Sequence, residues 1–117
     1  MAVKAYQRAQ LAAEHPRSTE YRLFGQVTGA LIEAQSAGIK GVALIEAIDW
    51  NRRLWSTLAV DCMDDANQLS KPLRAQIVSL SLWVSKYSSQ VMQDGAPLEP
   101  LIDVNRTIMQ GLQQAAA

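Results

Sequence analysis

The chain holds one histidine, His15, and one cysteine, Cys62. Nucleophilic catalysis needs a base held in place by an orienting partner. His15 adjoins Pro16 in an expected turn and reads as an exposed or capping residue instead. Metal sites use clustered His, Cys and carboxylate ligands, and these two residues lie far apart in the sequence. Asp61, Asp64 and Asp65 lack the spacing and glycine of a calcium loop and read as a solvated helix end. No glycine-rich phosphate loop is present. Gly25 to Gly29 matches G-x-x-x-G, a motif informative mainly inside membranes; close helix packing is the expected reason for it here. Cys62 falls on an apolar stripe, the pattern of a small buried hydrophobe. The inventory predicts no catalytic residue, no metal and no cofactor, hence no enzyme.

The stretch DWNRRLWSTLAVDC, residues 49–62, carries binding chemistry of another kind. On a helical wheel Ile45, Ile48, Trp55, Leu58, Ala59 and Cys62 form one expected buried stripe. Asn51 and Arg52 interrupt it. Trp50, Leu54 and Asp61 fall on another face, and Arg53 points elsewhere again. A polar interruption of an apolar stripe must be hydrogen-bonded or wet. Three readings follow. Asn51 and Arg52 satisfy a structural network, with Asp103 as one carboxylate partner. Alternatively, tryptophan and arginine anchor a protein partner, as at interface hot spots. Or arginine contacts phosphate while tryptophan stacks on bases. The segment Leu101–Arg106 repeats the pattern, with Asn105 on its apolar stripe and Arg106 beside it. Trp83 lies three residues after Leu80, on the flank of another seam.

Helices must position these residues, because helical periodicity dominates the chain. Residues 2–14 are rich in helix formers and should end at Pro16, since the residue before proline avoids the α region. A second helix can start with Pro16 in its first turn and run to about Ser36. Phe24, Val27, Leu31 and Ala34 lie on one face of it, and Gly38 follows as a stop. A third covers about Val42 to Met63. For the fourth, Ser70 is the expected N-cap and Pro72 sits in the first turn. Leu73, Ile77, Leu80, Val84, Tyr87 and Val91 form its seam, and Gly95 and Pro97 end it. The last starts near Pro100 and runs to about Leu112, with Leu101, Asn105, Ile108 and Leu112 on one stripe. Residues 113–117 are expected to fray. Nothing reads as a strand. The expected fold is all-α, a compact antiparallel bundle of four to five helices forming one domain over residues 1–117.

Basic and acidic residues balance at 11 each, so no long-range attraction to nucleic acid or anionic lipid is expected. A single cysteine allows no intrachain disulfide and suits a reducing cytosol. Lys4, Arg8 and Glu14 break any signal-like apolar run, and no later apolar stretch can span a bilayer.

Five segments taken in order, AYQRA, PRSTEYRLFGQVTGAL, WNRRLWSTLAVDC, NQLSKPLRAQIVSLSLWVSKY and LIDVNRTIMQGL, resemble the FlaF family of alphaproteobacterial flagellar biosynthesis regulators. The resemblance covers nearly the whole chain. It implies a small cytoplasmic helical protein needed for flagellin production and export. It further implies a secretion chaperone that binds flagellin and works with FlbT, which controls flagellin translation. A helical bundle could receive a terminal flagellin segment as a helix in a groove. The residues expected to contact a partner are Trp50, Asn51, Arg52, Leu54, Trp83, Asn105 and Arg106. Two alternatives stand beside this reading: an RNA-binding regulator of flagellin messenger RNA, and an assembly module that binds FlbT alone.

Overall fold

The structure, a computed structural model, describes residues 16–116, with side chains described from 19 to 114. The expected helix at 2–14 and His15 lie outside the described residues. Within them the chain forms four helices and no strand: α1 (Pro16–Ala37), α2 (Val42–Met63), α3 (Lys71–Asp94) and α4 (Glu99–Ala116).

Local chemistry sets the boundaries. Proline opens α1, where its missing N–H has no acceptor to lose. Gly38 ends it in the left-handed region, at φ 63°. The Gly38 and Ile39 amides donate back to the Gln35 and Ala34 carbonyls, at 3.4 and 2.9 Å. That pair of bonds is a Schellman stop, which a residue with a Cβ closes less easily. At α3 the Ser70 hydroxyl accepts from the Leu73 amide at 3.4 Å, with Pro72 in the first turn. Gly95, at φ 70°, closes that helix. Glu99 sits in the first turn of α4, where a carboxylate complements the helix dipole. The last helix continues through Ala116 instead of stopping near Leu112, because the helix formers Gln and Ala fill the added turn.

The helices pack in a closed ring: α1 on α2, α2 on α3, α3 on α4, and α4 back on α1. The expected stripes of α1 and α4 turn inward. Phe24, Val27, Leu31 and Ala34 of α1 are buried, as are Leu101, Ile108 and Leu112 of α4. In α3 the seam is graded. Ile77, Val84 and Val91 are buried, whereas Leu73, Leu80 and Tyr87 pack half-buried at its edge.

Two expectations need correction. Ile45 is 48% exposed and lies off the buried stripe. At about 100° per residue it points some 60° away from Ile48, outside the arc that Ile48, Asn51 and Trp55 define. The glycines of the G-x-x-x-G stretch are not sites of forced close approach. A Cβ on Gly25 would meet only the end of Met109, at 3.6 Å, and one on Gly29 would meet nothing within 4 Å.

Candidate partner-binding site

The polar interruption lies at the centre of the ring. Trp55 donates its indole N–H to Oδ1 of Asn105 at 2.8 Å. Asn105 donates from Nδ2 to Oδ1 of Asn51 at 2.7 Å and to the Thr28 hydroxyl at 3.1 Å. Thr28 contributes its hydroxyl to the Met109 sulfur at 3.9 Å. Helices α1, α2 and α4 are thereby joined through side chains that are almost wholly buried. Phe24 closes over Trp55 edge to face, with ring centroids 5.3 Å apart. Helical spacing explains the meeting, because Asn51 and Asn105 stand on the core stripes of their helices.

Of the three readings, the structural network is the one this geometry matches for the asparagines. Neither presents a polar atom at the surface, so the expected contacts of Asn51 and Asn105 are with other parts of this chain. Asn51 Nδ2 and Ser88 Oγ are buried with no hydrogen-bond partner among the described residues.

Arg52 takes a different path. It pairs with Asp49 at 3.5 Å, and not with Asp103, which is exposed. Arg53 reaches the same carboxylate at 2.8 Å. The i,i+3 and i,i+4 spacing within one helix makes these contacts, and no tertiary partner is needed. Trp50 is 42% exposed. Leu54 is half-buried, with its apolar surface against the core. Trp83 is also half-buried and stacks on Tyr87, with ring centroids 4.9 Å apart. The Tyr87 hydroxyl in turn donates to the Pro97 carbonyl at 2.7 Å. Arg106 is exposed and makes no ion pair among the described residues.

Sequence reasoning missed three features. Thr28 joins the buried network, and only its place beside Val27 on the inward face signalled that. Arg74 clips the end of α2, donating to the Cys62 and Asp64 carbonyls at 2.7 and 2.9 Å. A cation on the last carbonyls of a helix suits the dipole. The third feature is an apolar groove where the 38–41 and 95–98 connections meet. Ile39, Leu44, Met92, Pro97 and Leu98 line it, around about 530 Å³.

Cys62 is buried, and burial pushes its thiol up to about 11, with the Glu20 carboxylate adding to the rise. It is therefore a protonated packing group at neutral pH. Among the described residues no group of three or more His, Cys, Asp and Glu could hold a metal ion. No described helix is long and apolar enough to cross a membrane.

Among curated proteins and among solved structures nothing matches. A protein-family model described as flagellar protein FlaF matches residues 2–112, which is nearly the whole chain. On that match, this chain belongs to the FlaF family of flagellar proteins.

Proposed function

We propose that this chain binds a terminal helical segment of flagellin as a secretion chaperone in the cytoplasm, and so supports flagellin production and export. The observation that carries the reading is the apolar groove at the 38–41 and 95–98 connections, in a chain of a flagellar family. A groove of about 530 Å³ lined by Ile39, Leu44, Met92, Pro97 and Leu98 suits aliphatic side chains from one face of a client helix. The short connections between consecutive helices support an antiparallel arrangement of the bundle.

Trp50 stands six residues, about 9 Å, beyond Leu44 on α2 and about 120° round the helix from it, so it would meet a different part of the client. Trp50, Leu54 and Trp83 supply aromatic and aliphatic surface, while half-buried Arg52 and exposed Arg106 offer charge to the client. The buried pair Asn51 and Asn105 holds α2 and α4 in register beneath them. Ordering a free segment costs part of the binding energy, which suits a chaperone that must release its client.

Calorimetry with whole flagellin, and with flagellin lacking its C-terminal segment, tests the reading. Binding to the first and not the second supports a held C-terminus; equal binding moves the contact elsewhere in flagellin. Leu44→Asp and Met92→Asp should each weaken binding at least tenfold while the far-ultraviolet spectrum is unchanged. Co-purification with FlbT, but no heat with any form of flagellin, would sink the chaperone role.

A further inference from the structure

Two connections wall the apolar groove, and their backbones are held in different ways. At the 38–41 wall the Ile39 amide donates to the Ala34 carbonyl at 2.9 Å, and the Gly41 carbonyl accepts from the Ile45 amide at 3.1 Å. At the 95–98 wall the Gly95 and Ala96 amides donate to the Val91 and Gln90 carbonyls, at 3.2 and 3.4 Å. The Leu98 carbonyl accepts from the Leu101 and Ile102 amides, at 3.0 and 3.2 Å. Pro97 lies between these anchors. It has no N–H to donate, and among the described residues no backbone amide donates to its carbonyl.

A side chain from α3 fills that gap. Tyr87 donates its hydroxyl to the Pro97 carbonyl at 2.7 Å. Trp83, one turn earlier, stacks on the Tyr87 ring with the two planes 16° apart. That stack restricts the ring's swing and keeps the hydroxyl aimed at the connection. Pro97 and Leu98 line the groove, whereas Tyr87 does not.

We propose, on the reading of the groove given above, that Tyr87 is a positioning residue for client binding. Its hydroxyl, backed by Trp83, holds the Pro97–Leu98 wall where the groove fits a client side chain. The proline ring fixes φ at Pro97, so ψ is the soft torsion there. The Pro97 carbonyl belongs to the peptide plane that ψ turns and that leads into Leu98. A bond to that oxygen therefore fixes the plane, and with it the entry of Leu98 into the groove. Without the bond the wall samples other placements. A client that fits one placement then binds more weakly, in proportion to the fraction of molecules still holding it. One hydrogen bond at a connection adds little to the stability of the whole bundle, so its loss should show in binding and in local opening instead.

Tyr87→Phe tests this, since it removes the hydroxyl and keeps the ring on Trp83. It should raise the dissociation constant for whole flagellin in calorimetry by about threefold or more. The melting temperature should stay at the parent value. Amide hydrogen exchange, measured without client, should quicken at Gly95 and Ala96 and not at Gly38 and Ile39. Trp83→Leu should quicken exchange at the same two amides while the hydroxyl is still present. A Tyr87→Phe protein that binds flagellin as tightly as the parent overturns the proposal. So does unchanged exchange at Gly95 and Ala96, or a fall in melting temperature that accounts for the lost binding. No flagellin binding by the parent itself ends the groove reading and client positioning with it, and the exchange data distinguish that failure from a hydroxyl that holds nothing.

Discussion

The dipeptide Asn-Arg occurs once on α2, as Asn51-Arg52, and once on α4, as Asn105-Arg106. In both, the asparagine turns into the core and the arginine, about 100° further round, turns out. The two copies then diverge. Asn105 spends its whole amide: one acceptor bond from Trp55 and two donor bonds, to Asn51 and Thr28. Asn51 only accepts, and its Nδ2 has no partner among the described residues. Outside, Arg52 is held by Asp49, whereas Arg106 is free of any ion pair among the described residues. The same two letters thus make a hub on α4 and a terminus on α2. Residue type decides which side a group can occupy; the number of partners it meets there decides what its loss costs.

Substitutions along the network should reproduce that ranking. Trp55→Ala has the largest expected effect, about 3–5 kcal/mol of unfolding free energy, from the cavity alone. It also strips Asn105 of its only donor. Asn105→Ala comes next, at about 2–4 kcal/mol, since the Trp55 indole, Asn51 and Thr28 all lose a buried partner together. Asn51→Ala should cost less, about 1–2 kcal/mol. It leaves one Asn105 N–H unpaired but removes an orphaned donor of its own. Urea denaturation of the three variants measures the order. The hub assignment fails if Asn51→Ala is as damaging as Asn105→Ala. The double variant Asn51→Ala with Asn105→Ala should fall short of the sum of the singles, because one bond is counted in both.

Much of this was legible from the sequence because it depends on spacing. Pro16, Gly38, Ser70, Pro72 and Gly95 act through the backbone of their own turns, so the helix limits they set fell within a residue or two, whereas the end of α4, which no such residue marks, ran four residues past Leu112. The inward stripes of α1 and α4 followed from periodicity, and Asn105 was placed on one of them. What spacing cannot supply is the rotation of one helix against another. Asn51 therefore showed as a polar break without showing that Asn105 fills it. Arg52 was matched to distant Asp103 when Asp49, three residues away, was the nearer carboxylate. Ile45 looked buried because a stripe drawn on one helix has no neighbour to mark where its edge lies. The groove at the connections arises where two loops meet, and neither loop holds a pattern that announces it.

The smallest expected effect belongs to the two arginines. Arg106→Ala and Arg52→Ala should each change stability by less than about 0.5 kcal/mol. Arg106 loses no ion pair to a described residue. Arg52 loses only a 3.5 Å contact within its own helix, whose carboxylate keeps Arg53 at 2.8 Å. Both side chains nevertheless stand where a partner can reach them. A chain with Arg52→Ala should melt as the parent does, because Asp49 keeps Arg53 at 2.8 Å. Arg106→Ala, on α4, should likewise leave the melting temperature unchanged in thermal denaturation. A drop in melting temperature for Arg52→Ala comparable to that of Asn51→Ala would place Arg52 inside the network after all, and erase the contrast between the inward and outward halves of the pair.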